Sequence, residues 1–401
     1  MPPIRFIHAA DLHLDAAFSG LSRDIPADFA ERLRTATFTA FRRLLDLCER
    51  ESPDFLLLAG DVYNQEDASV SAQLALRDGF RRLESLSIPV FLVHGNHDPL
   101  ASRLRSVRWP GNVTVFGELP DAVPVFRKGE GTPLAIIHGA SHASGRETRN
   151  LAALFRRTEA CGLHVGLLHA TPGDADGVAR YAPFSQGDLK ASGMDYWALG
   201  HIHDRREVCR EPLAAYPGCT QGLHINEPGE KGCLLVTAEA RTDGGYAVRT
   251  SFRPLGPAVW KTLDMDLGGA ASLDELENRL RTGLDRAAAE VWSGCEMLLV
   301  RLRLQGRTEL DGLLRKGTTC AELADRLRED GSGVPRIWIK DIDVATRPCV
   351  ERGALLERED LLGEVFRLSE AARTASGLQA LREGPLAPLF AHARAGKALE
   401  P

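Results

Sequence analysis

Ile88-Pro89-Val90-Phe91-Leu92-Val93-His94-Gly95-Asn96-His97-Asp98 is the stretch whose reading decides the fold. Its first seven residues are mostly apolar, the pattern of a buried strand. Its last four set Gly, Asn, His and Asp at a tight turn just past the strand end, where α/β folds gather their ligands. Four further polar clusters follow other apolar runs: Asp11-Leu12-His13, Gly60-Asp61, His169 and Gly200-His201-Ile202-His203. Side chains at i and i+2 of an extended segment share one face, so Asp11 and His13 can grip one ion. His201 and His203 also share a face and can serve different ions. Asp61 has two oxygens and can bridge two cations, Asn96 offers a neutral amide oxygen, and His169 offers an imidazole. These seven side chains supply donors for two metal ions, and the mixed nitrogen and oxygen set suits Mn, Fe or Zn better than Ca.

Two cations about 3.5–4 Å apart can bind a hydroxide, polarise a phosphate and balance developing charge, which is what in-line hydrolysis of a phosphate ester requires. His97, beside Asn96, is the candidate catalyst that protonates the leaving oxygen or stabilises the transition state. Asp98 is expected to orient His97 through its other ring nitrogen. Arg103, Arg105 and Arg108 follow the same turn and are candidates to hold a nucleic-acid backbone. His224, in a loop after Pro217-Gly218, is a further candidate to face substrate.

Outward from this stretch, residues 4–10 and 55–59 read as buried strands, and 26–50 and 68–86 as helices. That βαβαβ rhythm predicts a parallel sheet with covering helices. Short strands are expected at 112–116, 123–126 and 134–138, a helix at 150–160, and strands at 163–169 and 196–200. An antiparallel run to about residue 254 completes a sandwich of mixed sheets, so a first domain is expected over 1–255. Leu255-Gly256-Pro257 reads as a linker. Residues 256–347 alternate strand and helix as a small α+β domain without a ligand cluster. The segment 348–401 is helical, with Leu361, Leu362, Val365, Phe366 and Leu368 as an apolar stripe suited to helix-on-helix docking.

Composition narrows the function. The 401 residues are 44% apolar and 26% charged, with no apolar run of membrane-spanning length. A strand-like run at the very start gives no sign of a secretory signal. Eight cysteines without a C-x-x-C pair read as reduced thiols in a cytoplasmic protein. A net charge of −6 argues against a protein that coats duplex DNA through a global field. Binding to nucleic acid would have to come from local patches and metal ions. No phosphate-cradling glycine loop is present, so any ATPase must be another subunit.

The set D-x-H, G-D, G-N-H-D, H and G-H-x-H, in this order, resembles the calcineurin-like metallophosphoesterase superfamily. Ala10-Asp11-Leu12-His13-Leu14-Asp15, Tyr181-Ala182-Pro183, the stretch 195–203 and Asn226-Glu227-Pro228-Gly229-Glu230-Lys231-Gly232 resemble the YhaO-type branch of the SbcD-like bacterial DNA repair exonucleases. The resemblance implies a four-layer α/β/β/α sandwich of two mixed sheets with a capping domain. It implies that Asp11, His13, Asp61 and His203 hold one metal, that Asp61, Asn96, His169 and His201 hold the other, and that His97 is the catalytic histidine. It further implies manganese as the activating ion, DNA as substrate, and an SbcC-like coiled-coil ATPase docked on the C-terminal helices. A homodimer is compatible with it. Some relatives carry a histidine three residues after the bridging aspartate; here Asn64 stands there, able to bond a phosphate but not to shuttle a proton. Two alternatives stay open: a phosphoesterase for a small nucleotide or phosphomonoester, and a subunit that binds DNA ends with weak catalysis.

Overall fold

The computed structural model describes residues 2–21, 25–64, 69–102, 107–174, 179–242, 244–329, 333–349, 352–384 and 386–391. The chain opens with β1 (Ile4–Ala9), α1 (Ala27–Arg34), α2 (Ala36–Glu51), β2 (Phe55–Ala59), α3 (Val70–Ser85), β3 (Val90–Val93) and β4 (Val113–Val115). It continues with β5 (Asp121–Val125), β6 (Ala135–Ala140), β7 (Leu163–His169), α4 (Gln186–Ala191), β8 (Tyr196–Gly200), β9 (Arg206–Arg210), β10 (Leu213–Tyr216), β11 (Gly232–Ala240) and β12 (Tyr246–Pro254). Two six-stranded mixed sheets result, in the orders β12-β11-β1-β2-β3-β4 and β5-β6-β7-β8-β10-β9.

Strands β2, β3 and β8 are unbroken apolar runs because both faces of each sheet are covered there. On β2, Phe55, Leu57 and Ala59 point between the sheets, where they meet Phe6, Phe91, Val165, Leu167 and Tyr196. Leu56 and Leu58 point the other way, onto Phe41, Leu44, Leu76 and Phe80 of α2 and α3. The outer face of the second sheet buries Trp197 and Leu199 with Phe155 and Leu189. The layering is therefore α/β/β/α.

Two helices differ from expectation. The single helix expected over 26–50 breaks at Thr35, whose Oγ1 donates to the carbonyls of Glu31 and Arg32 and so competes with the helical ladder. The helix expected over 150–160 is one 3₁₀ turn, Ala152–Leu154. Leu151, Ala152 and Phe155 are buried as the pattern required. The Arg157 N–H, however, donates to the Ser192 carbonyl rather than to a helical turn. Just before α4, Ser185 and Asp188 form a reciprocal capping box, a start signal not used in the sequence reading.

Beyond Pro257 come β13 (Ala258–Asp266), α5 (Leu273–Glu290), β14 (Met297–Gln305), β15 (Arg307–Thr308), α6 (Asp311–Leu314), α7 (Thr319–Glu329), β16 (Arg336–Val344) and β17 (Arg347–Pro348). Strands β13, β14 and β16 form a parallel sheet in that order. One face packs on Leu276, Leu280, Leu284 and Leu327 of α5 and α7. The other lays Trp260, Leu299 and Trp338 against Phe29 and Leu33 of α1. Arg43 and Arg32 reach across to Glu296 at 2.7 and 3.4 Å. The buried face of α1 thus serves the joint between the two units, and this seats the second unit on the first.

The chain ends in α8 (Arg352–Leu356), α9 (Leu361–Ala372), α10 (Ala375–Glu383) and α11 (Ala387–Ala391). Asp360 caps α9 by accepting from the Gly363 N–H. The α9 stripe lies bare, with Leu361 81%, Leu362 52%, Val365 53% and Leu368 60% exposed. A surface helix ordinarily turns such a stripe toward a core.

Candidate metal centre

The C-terminal ends of β1, β2, β3, β7 and β8 meet at one edge of the sandwich. Left-handed backbone steps turn their side chains inward: φ is +51° at Asp11, +42° at His13, +49° at Asp61 and +102° at His201. L-residues held there cost roughly 1–2 kcal/mol each, a strain that clusters at functional sites. Glycines give the close approach. A Cβ on Gly95 would lie 2.2 Å from Asp61 Oδ1, and one on Gly200 would lie 1.8 Å from the Ala59 carbonyl oxygen.

The donor atoms of Asp11, His13 and His203 lie within 4.8 Å of one another, and so do those of Asp61, His169 and His201. His13 Nε2 is 3.1 Å from His203 Nε2, which is 3.8 Å from Asp11 Oδ1. In the second cluster His169 Nε2 is 3.3 Å from Asp61 Oδ2. Asn96 Oδ1 is 3.1 Å from both His169 Nε2 and His201 Nδ1. Asp61 Oδ2 is also 4.0 Å from His13 Nε2, so this one oxygen faces both groups. All seven side chains are brought together, and their carboxylate, amide and imidazole donors fit two divalent cations.

Burial sets the protonation. It drives His13 and His201 down to about 3, which keeps both imidazoles neutral, the form that ligates. Burial lifts the Asp11 carboxyl to about 6. It opposes charge on Asp61 too, but His169 and His13 more than offset that and hold Asp61 below the usual carboxylate range. Burial pulls His169 down, yet Asp61 and Asp11 carry it up to about 9. His203 is also raised against its burial, by Glu227 and Asp11. A cation arriving at these nitrogens must displace their protons.

Hydrogen bonds behind the donors choose which ring atom points inward. His169 Nδ1 donates to the Ala59 carbonyl at 2.9 Å, which leaves Nε2 for the cluster. His142 Nε2 in turn donates to the His169 carbonyl at 2.6 Å. His203 Nδ1 donates to Glu227, whose other oxygen accepts from the Leu223 N–H at 2.7 Å. His224 Nε2 lies 3.2 Å from the same glutamate, so His224 reaches the site's margin. Glu227 has no role in the sequence reading, although it sits in the stretch 226–232 that carries the family resemblance. A carboxylate behind a ligating histidine orients the ring and raises its basicity. Glu227→Gln is therefore expected to lower cation affinity at the Asp11–His13–His203 cluster about 10–100-fold. Equilibrium dialysis against manganese checks this, and unaltered affinity would remove Glu227 from the site.

One expectation is corrected. Asp98 does not orient His97. It is fully buried and accepts from the Val62 and Gly95 N–H groups at 3.0 and 2.8 Å, which fastens the turn to β2. The His97 ring instead donates from Nδ1 to the backbone carbonyl of Asn64 at 2.8 Å, and its N–H donates to Asp61 Oδ1 at 2.9 Å. The physical reason is that Asp98 is spent on backbone donors that would otherwise be orphaned. His97 itself is exposed, with its ring centroid 5.1 Å from that of His13. Asn64 thus meets His97 through its main chain. Arg108 is exposed beside Val107 and Trp109, which line a cavity of about 280 Å³ with Tyr63 and His94. Arg103 and Arg105 lie outside the described residues.

Comparison with known proteins places this geometry among relatives. A family model described as calcineurin-like phosphoesterase matches residues 4–205, and one described as the middle domain of metallophosphoesterase YhaO matches residues 260–347. The "Uncharacterized metallophosphoesterase YhaO" of Bacillus subtilis is 34% identical over 388 residues, 96% of this chain and 91% of that one. The "DNA double-strand break repair protein Mre11" of Aeropyrum pernix is 28% identical over 320 residues, 73% of this chain and 69% of that one. The protein of the same description from Methanopyrus kandleri is 22% identical over 383 residues, 82% of this chain and 79% of that one.

Proposed function

The chain belongs to the calcineurin-like metallophosphoesterase family, hydrolases of phosphoester bonds, and on that premise we propose that it is a two-metal phosphodiesterase that cleaves DNA as the nuclease subunit of a repair complex. The observation that carries this reading is the placing of Asp61 between two donor clusters, with His97 exposed at their mouth. Asp11, His13 and His203 would hold one cation, Asn96, His169 and His201 the other, and Asp61 both. When bound, two divalent ions, manganese in this reading, supply a nucleophile at neutral pH and balance the charge on the transferring phosphate.

The rest is done by the chain itself. The Asn64 carbonyl fixes the Nδ1–H of His97 and leaves Nε2 as the ring nitrogen open to substrate. In its protonated form His97 donates there to the leaving oxygen. Asp98 keeps the turn that carries Asn96 and His97 against β2. Arg108 would hold the backbone of a strand, and His224, 3.2 Å from Glu227, would face it. The repair-protein relatives support DNA as the substrate class. The bare stripe of α9 supports a partner that brings its own apolar helices, as an SbcC-like coiled-coil ATPase would. The unit over 256–347 would cap the site and shape access. All eight cysteines are free, which supports a cytoplasmic setting.

The test is purified protein with manganese on labelled single-stranded and duplex DNA, beside p-nitrophenyl mono- and diesters. Cleavage of DNA and of the diester is expected. Cleavage of the monoester alone would replace this reading with a small-molecule phosphatase.

A further inference from the structure

His203 has two faces, and the two-metal reading uses only one. Nε2 looks toward Asp11 and His13. On the Nδ1 side stands Glu227, and donor atoms of His203, Cys219 and Glu227 all lie within 4.8 Å of one another. Neither Cys219 nor Glu227 belongs to the seven-residue set. The arrangement is held firmly. The Cys219 N–H donates to the His203 carbonyl at 3.3 Å, and Lys231 Nζ donates to the same oxygen at 3.1 Å. Gly218, at φ +82°, lets the turn pass so near that a Cβ there would lie 2.7 Å from that oxygen. Cys219 is 1% and Glu227 6% exposed, so the donors are screened from bulk water. His224, with a side chain 41% exposed and Nε2 3.2 Å from Glu227, stands at the mouth and leaves a way in for an ion.

We propose that His203, Cys219 and Glu227 form a third cation site, one that takes a soft divalent ion such as zinc and disables the neighbouring centre by competing for His203. Sulfur sets the selectivity. Thiolate and imidazole with one carboxylate match zinc, whereas manganese prefers oxygen. The step balances without redox change. The Cys219 S–H and His203 Nδ1–H bonds break, and bonds from sulfur, Nδ1 and the Glu227 oxygen to the ion replace them; the thiol proton passes to solvent, and the ring proton is regained at Nε2, which then has no lone pair to offer the Asp11–His13 side. Glu227 then no longer accepts from His203, so the ring loses the bond that set its tautomer for the Asp11–His13 side.

The experiment is a cobalt(II) titration of the full chain, freed of metal, read by sulfur-to-cobalt charge-transfer absorption in the near ultraviolet. The band is expected in the unaltered protein, absent in Cys219→Ser and Cys219→Ala, and retained in Asp61→Ala. Glu227→Gln, which keeps every thiol, should weaken cobalt binding at this band about tenfold or more. Zinc should displace manganese from the unaltered protein at a concentration about tenfold or more lower than from Cys219→Ser, measured by dialysis and metal analysis, and equal displacement from both would overturn the competition. Circular dichroism confirms that each variant is folded. No band, or a band unchanged in both Cys219 variants, overturns the site. Loss of the band in Asp61→Ala would put the sulfur in the two-metal centre and overturn a separate site.

Discussion

Asp61→Ala is expected to empty both cation positions and to lower DNA cleavage by at least about 10³-fold, the scale on which preorganised charge stabilisation is lost. The reason is positional. Asp61 Oδ2 is 3.3 Å from His169 Nε2 and 4.0 Å from His13 Nε2, so a single side chain serves both clusters. Without it, each group keeps its imidazoles but loses the shared negative charge. Its second oxygen also receives the His97 N–H at 2.9 Å, so the alanine frees the turn that carries the proposed catalyst. Asp61→Asn separates the two effects, because an amide oxygen still accepts that N–H while the charge is gone. Metal content after dialysis, by atomic emission, reads the result for both variants. A full complement of manganese in Asp61→Ala would contradict the bridging role.

His97→Ala should leave both cations in place and lower the rate on DNA about 10²–10⁴-fold, the usual contribution of a general acid. His97 is exposed and, among the described residues, its ring bonds to the Asn64 carbonyl, so the substitution opens no cavity and should change stability little. Leaving-group chemistry sharpens the test. A p-nitrophenolate leaves without a proton, whereas a deoxyribose oxygen needs one. The loss should therefore be large on DNA and small on bis(p-nitrophenyl) phosphate. An equal loss on both would mean that His97 stabilises charge on the phosphate instead. Unchanged turnover on DNA would end its proposed part.

Much of this architecture was legible before any fold was known. The strand runs at 55–59 and 88–93 read plainly because both faces of each sheet are covered, so sequence alternation gives way to continuous apolar residues. The donor turns read plainly because their chemistry is local: a glycine, then Asp, Asn or His, at the end of such a run. The bare stripe of α9 was visible for the same reason, since helical spacing is a short-range property. Helix continuity was less legible. Thr35 and Arg157 divert the backbone through hydrogen bonds whose partners no apolar pattern marks.

The sequence by itself therefore determined the layers and the kinds of donor that could reach one edge. Tertiary structure alone decided what each donor does there. Asp98 was free to serve His97 on paper, yet it closes on Val62 N–H, 36 residues away in the chain. Glu227 carried no visible role until folding set it behind His203. The direction in which a buried imidazole or carboxylate points is set by whichever distant backbone or side-chain group would otherwise be left without a hydrogen-bond partner.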